Sequence, residues 1–235
     1  MIGVLVNTIT VIIGSLLGLL LKKGIPDRVS TAVMIGIGLC SMYIGIDGAL
    51  QGENTLVLIV SMVLGAIIGT ALDLDGKLQA LGEMVERKFQ RGEPGEGARV
   101  SLAQGFVTAS LLFCVGSMTI VGSLNAGISG DNEMLFTKSL LDLISAAMLA
   151  ASLGFGVLLS AAFVLVFQGA LVLLATFIAP FLTTAAIAEL TCCGSVLILA
   201  IGFNLTGLTH FKVADYLPAL LFVPFLTWAA GFLPI

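Results

Sequence analysis

Phe113 to Ser123 reads FCVGSMTIVGS. The stretch lies inside an apolar run, yet Gly116, Ser117, Thr119, Gly122 and Ser123 put thin side chains and hydroxyls where a plain lipid anchor carries Leu and Ile. Irregular or glycine-rich backbone survives at membrane depth only where protein or a water-filled cavity satisfies it. Ser117 and Thr119 alone can bond back to their own helix. Together with Gly116 and Gly122 they point to a broken helix that offers backbone groups to a ligand.

Outward from this stretch nearly the whole chain is apolar. Of its 235 residues 58% are hydrophobic and 10% charged, against roughly 45–50% and about 25% in soluble domains. The mean hydropathy is +1.15. A soluble fold is excluded, and spans of about 20 residues fill the chain, so it is one membrane domain. The net charge is -4 and the ten Lys and Arg form no basic patch, so no nucleic-acid partner is expected. Cys40, Cys114, Cys192 and Cys193 all sit in apolar runs and read as small buried hydrophobes, with neither disulfide nor metal-ligand spacing. No cofactor is expected. Gly-x-Ser-x-Gly, His-Glu-x-x-His and Walker patterns are absent, so an enzyme is not expected either.

Ile2 to Leu21, followed by Lys22-Lys23, is the first span. It lacks the positive leader and small-residue exit of a signal peptide. Pro26 and Asp27 suit the opening of the second span, Val29 to Leu50, and Leu56 to Leu72 is a short third. Ser61, Gly65 and Gly69, like Gly14 and Gly18, set small side chains on one helix face for close crossings, within the chain or with a second copy. Leu74 to Arg91 places Leu74, Leu78, Leu81, Val85 and Phe89 at helical spacing among charges, the pattern of an amphipathic helix on the membrane surface. Residues 91–97 are a linker. The fourth span covers Ser101 to Val121, and the fifth Met134 to Leu153. Met134 to Leu182 as one helix would be about 73 Å long at about 1.5 Å per residue, so the chain must turn at Gly154-Phe155-Gly156. Val157 to Phe181, Ala188 to Leu205 and Val213 to Phe232 complete eight spans.

With the N-terminus outside, Lys22, Lys23, Arg28, Lys77, Arg87, Lys88, Arg91, Arg99 and Lys212 fall inside and only Lys138 outside. The positive-inside rule therefore puts both termini outside and residues 73–100 in the cytoplasm, in the inner membrane of the cell.

Ile44-Gly45-Ile46-Asp47 is echoed by Ile201-Gly202-Phe203-Asn204, and Pro26 by Pro180. Spans one to three (2–72) thus resemble spans six to eight (157–235), flanking the surface segment 73–100 and the central spans 101–156. Five spans precede the second copy, so the copies run in opposite senses, the inverted repeat of alternating-access transporters. Asn7, Asp47, Ser117, Thr119 and Asp142 fall in the outer half, Ser160 and Asn204 in the inner half, and Gln168 near the middle of span six. Such groups are costly at depth unless they face one another or water. Each has a plain reading too. Asn7 and Asp47 lie near span ends within reach of headgroup water. Lys138 and Asp142 read as an i, i+4 pair at the interface. Gln168 serves equally as interhelical glue.

FCVGSMTIVGS, the KSLLD run of Lys138 to Asp142, Gln168-Gly169 and Leu217-Pro218-Ala219 together resemble the bacterial membrane proteins of domain of unknown function 554. The similarity extends over essentially the whole chain from its MIGVLVNTITVIIGSLLGLLLKKGIP opening, with Asp215 where Asn is expected in the family. The resemblance implies a transport protein of the bacterial cytoplasmic membrane and carries over no binding residue.

The expectation is an all-α transporter or exporter of a small polar solute, drawing on an ion gradient such as Na⁺ or H⁺. Its central site would use Gln168 with Cys114, Gly116, Ser117 and Thr119. Asn7, Ser160 and Asn204 line the approach, and Asp47 or Asp142 relays the ion. A channel-like pore along the same track, and a scaffold or assembly protein acting through its surface helix, are the alternatives. The bilayer is the constant partner, and a homo-oligomer a further one.

Overall fold

The computed structural model describes residues 1–22, 27–80, 102–114, 117–180 and 182–230, and every regular element among them is helical. In order these are α1 (Ile2–Lys22), α2 (Asp27–Ala49), α3 (Thr55–Ala71), α4 (Leu74–Ala80), α5 (Leu102–Cys114), α6 (Ser117–Ile128), α7 (Glu133–Leu153), α8 (Phe155–Leu173), α9 (Ala175–Ile178), α10 (Thr184–Leu205) and α11 (Ala219–Ala230). A 3-10 turn, Val213–Tyr216, precedes α11. Among the described residues six stretches are long and apolar enough to span alone. Two bent pairs, α3 with α4 at 52° and α5 with α6 at 59°, raise the number to as many as eight. The chain is an all-α membrane protein with the span count its composition leads one to expect.

Glycines set the two most extensive helix pairings, α1 on α7 and α2 on α10. A Cβ at Gly14 or Gly18 would overlap the carbonyl oxygen of Leu143 or Ala147 on α7, and one at Gly45 would come within 2.7 Å of Leu199 N on α10. Gly65 and Gly69 of α3 press in the same way on the backbone of Ala219 and Asp215. Lipid gives helices no hydrophobic drive to associate, so such close approach supplies the packing energy. These small-residue faces are filled from within the chain.

Several boundaries move for local reasons. Of Gly154-Phe155-Gly156, Gly154 alone turns the chain, at φ 80°, while Phe155 and Gly156 already belong to α8. Gly156 instead lets α5 approach, since a Cβ there would overlap Leu102 O. α10 starts at Thr184, ahead of Ala188, because the Thr183 hydroxyl caps it by accepting from Ala186 N at 3.2 Å. Span six stops as a continuous helix at Leu173, and span eight is a 3-10 turn followed by α11, which carries Pro224. α4 is the first part of the amphipathic pattern and bends by 52° from α3. Its continuation to Arg91, the linker 91–97, the Gly24–Pro26 turn, Gly116 and residues 231–232 of span eight lie outside the described residues.

The main core gathers α1, α5, α7, α8 and α10 around Phe113, Leu153, Val164, Leu197 and Ile198. The end of α5 and the polar side chains of α1, α7 and α8 meet at its edge.

Candidate functional site

The fourth span bends by 59° between α5, described to Cys114, and α6, described from Ser117, where its glycines and hydroxyls suggest. The last carbonyls of a helix have no partner within it. One of them, Phe113 O, accepts from the Thr119 hydroxyl at 3.0 Å, a bond that reaches across the break. Phe113, Cys114 and Thr119 are all buried.

Lys138 and Asp142 lie one turn apart on α7 and form a direct ion pair. The i, i+4 pairing is as expected, and both residues are buried within the protein, at 7% and 6% exposure. Asp142 follows Glu133 by nine residues, which places it about 13 Å along α7, two and a half turns inside that helix. The Lys138 ammonium stands 5.9 Å from the Phe113 ring centroid, so the end of α5 also covers the pair. An ion pair at this depth persists because each charge has a partner and neither alone would be tolerated.

From α1, Asn7 reaches both neighbours. Its Nδ2 donates to Gln168 Oε1 on α8 at 3.2 Å, and its amide lies near the Asp142 carboxylate. Lys138, Asp142, Asn7 and Gln168 therefore form one polar chain across α7, α1 and α8. Asn7 and Gln168 are fully buried, yet Asn7 Oδ1 and Gln168 Nε2 have no hydrogen-bond partner among the described residues. One lacks a donor and the other an acceptor. Cys114 is close enough to feel the charges of both Lys138 and Asp142.

Five of the expected residues thus converge: Asn7, Cys114, Thr119, Asp142 and Gln168. Ser160 is buried on α8 but gives its hydroxyl to Val157 O at 2.6 Å. Asp47 is exposed on α2. Asn204 secures the loop after α10, donating to Phe211 O and accepting from Thr209 Oγ1 and Phe211 N, each at 2.8 Å. Ser117 opens α6, and Gly116 lies outside the described residues. Sequence reasoning missed Glu189, a buried carboxylate on α10 whose Oε1 accepts from Glu53 N and Asn54 N, both at 2.7 Å. Starting span seven at Ala188 put it at a helix end, where a carboxylate is unremarkable; the Thr183 cap moves it inside.

A separate polar pocket of about 270 Å³ lies at the start of α5, with Asp75, Gln79, Thr108, Asn204, His210 and Lys212 in its wall. Asp215 Oδ1 accepts from Asp75 N at 2.9 Å, and Gln79 Nε2 donates to Asp75 Oδ2 at 2.6 Å. Partial burial, followed by the Asp215 carboxylate, pushes the Asp75 carboxyl above its ordinary range, with Lys212 and Gln79 opposing.

The model of the family described as "Protein of unknown function (DUF554)" matches residues 2–228. The chain belongs to the DUF554 family. This DUF554 chain is 33% identical over 228 residues to "Uncharacterized membrane protein YdfK" of Bacillus subtilis (strain 168), covering 95% of the chain and 94% of that relative. It is 32% identical over 233 residues to "Uncharacterized protein YqgA" of Escherichia coli (strain K12), covering 98% of the chain and 99% of that protein. No solved structure matches it.

Proposed function

We propose that this DUF554 protein is a secondary transporter or exporter of a small polar solute, not an enzyme, and that its central site is the cluster of Asn7, Gln168, Lys138 and Asp142 beside the break of the fourth span. The observation that carries this reading is the pair of orphaned atoms, Asn7 Oδ1 and Gln168 Nε2. A buried polar atom without a partner costs roughly 1–3 kcal/mol. A ligand that offers a donor and an acceptor side by side, as an amide or a hydroxyl does, satisfies both atoms at once. The ion pair is already balanced, so the solute need bring no net charge there, and Asp142 is the residue on which a driving proton or cation would act.

Three arrangements support two-sided access. α5 lines the polar pocket at its first turns and the central cluster at its last. The helices of the suspected repeat touch their counterparts, α1 on α8, α2 on α10 and α3 on α11, an arrangement that a pseudo-two-fold axis in the membrane plane allows. The distribution of Lys and Arg favours an inner membrane with both termini outside.

Thermal unfolding of the purified protein against amides, amino acids, polyols and organic acids, with and without Na⁺ and at two pH values, tests the reading. A ligand at 100 times its Kd adds about 2.7 kcal/mol of stability. A saturable shift that disappears in Gln168→Ala, followed by saturable uptake into proteoliposomes, is the expected result. An equal shift in Gln168→Ala moves the site elsewhere, and flux without saturation replaces the transporter by a pore.

A further inference from the structure

A second cavity, of about 640 Å³, lies between α5, α8, α10 and α11, and falls within the roughly 300–1,000 Å³ usual for ligand sites. Its wall is almost wholly apolar. Phe106 meets Phe163 edge-on at 6.0 Å, and Phe163 stacks on Phe167 at 5.9 Å. Among the lining residues Phe163, Leu221, Phe225 and Trp228 are exposed, so the cavity is a slot that opens on the surface facing acyl chains. A water molecule needs two to four polar partners, and the slot offers little beyond the Ser110 hydroxyl and the Cys114 thiol. Such a wall suits a hydrocarbon chain better than water.

The slot and the polar pocket share Val107 in their walls. Ala103, Val107, Ser110, Leu111 and Cys114 follow one another at helical spacing on one face of α5. Ala103 lines the pocket, Val107 lines both, and Ser110, Leu111 and Cys114 line the slot. The pocket carries charge of both signs, Lys212 and Asp75, with no ion pair between them among the described residues. The first turn of α5, which favours an anion, borders it at Ala103 and Gln104. Thr108 Oγ1, also in its wall, is buried without a partner. On the slot side, Leu220 and Trp228 of α11 are eight residue steps apart, about 12 Å of helix and a length suited to a hydrocarbon chain.

We propose that pocket and slot form one site for a zwitterionic phospholipid: its phosphate lies against Lys212, Thr108 and the first turn of α5, its ammonium against Asp75, and one acyl chain fills the slot toward Trp228. The site is tested separately from the central cluster, whose approach along α5 a bound lipid would cover.

Trp228 is the chain's one tryptophan, so fluorescence reads the slot directly. The full-length protein in detergent is titrated with phosphatidylethanolamine, and separately with phosphatidylglycerol, both carrying dibrominated chains. The expected result is saturable quenching by phosphatidylethanolamine with an affinity at least tenfold above that of phosphatidylglycerol. Lys212→Ala weakens it at least fivefold, and Ser110→Phe, which fills the slot, abolishes the saturable part. Ile120→Phe fills the slot from the α6 side and replaces Ser110→Phe if that variant fails to accumulate. Quenching that is unsaturable, or that persists in the filled variant, means that Trp228 meets only bulk lipid and overturns the site. Equal affinity for the two lipids overturns the assignment of the headgroup.

Discussion

Asn7 and Gln168, 161 residues apart in the chain, share a 3.2 Å hydrogen bond at a point where neither side chain has any exposed surface. A carboxamide pair buried in a bilayer has no water to fall back on. Truncating one member strands the other, which costs about 1–3 kcal/mol, whereas replacing both by apolar groups of similar shape is nearly neutral. Asn7→Ala and Gln168→Ala are each expected to lower the unfolding free energy in detergent by about 1–3 kcal/mol. The double variant Asn7→Leu, Gln168→Met is expected to recover most of that loss. Strictly additive losses in the two alanine variants combined would show that the residues do not act as a pair.

Lys138 and Asp142 predict a stronger asymmetry. Removing one partner of a buried ion pair leaves an uncompensated charge, at a cost of about 3–5 kcal/mol. Lys138→Met and Asp142→Leu should each destabilise the protein by that order, and together restore it to near the wild-type value. Thermal unfolding of the three variants decides the matter. Single losses below about 1 kcal/mol would place the pair at a water-exposed surface after all.

The glycines divide into two classes. A Cβ at Gly18 would overlap Ala147 O on α7, while at Gly36 it would meet nothing within 4 Å. Gly18→Ala must push α1 from α7 and is expected to cost about 1–3 kcal/mol. Gly36→Ala removes only backbone freedom from the unfolded chain and should stabilise α2 by about 0.5–1 kcal/mol. If both variants were equally harmful, crowding at α7 would not be the cause.

Hydropathy and loop chemistry carried the spans, because each apolar run must cross or bury itself and its ends are marked by Gly, Pro, Asn and charge. The glycines and hydroxyls of residues 113–123 likewise disclosed the break between α5 and α6, since such residues weaken a lipid-facing helix. Depth along one helix says nothing of which face a residue presents, and this limited the site. Asp47 and Asp142 were both candidate ion relays, each with an interfacial reading beside it, yet one is exposed on α2 while the other is paired beneath Phe113. Gln168 could be placed near mid-span, but its partner Asn7 became visible only once α1 and α8 were packed together. The caps at Asn54 and Thr183 were equally hidden, as they depend on dihedral angles at single residues.

Asp75 gives a prediction about pH. It lies on α4, beyond the α3 span, where its carboxyl is raised from 3.8 first by partial burial and then by Asp215. The folded protein therefore holds the Asp75 proton more readily than the unfolded chain does. Above the folded pKa the charged carboxylate opposes folding. As pH falls through that value the opposition is relieved, and below the unfolded pKa both states are protonated and the relief is complete. Asp75→Asn removes the charge at every pH while keeping a polar side chain beside Gln79. It should therefore be more stable than wild type at pH 7 and lose this advantage as the pH is lowered toward 4. Melting temperatures of the two proteins between pH 7 and pH 4 test this, and an advantage that grows on acidification would reverse the sign argued here. The Asp215 to Asp75 N hydrogen bond uses the backbone and is retained in the variant, so the comparison isolates the carboxyl charge from the anchoring of α4.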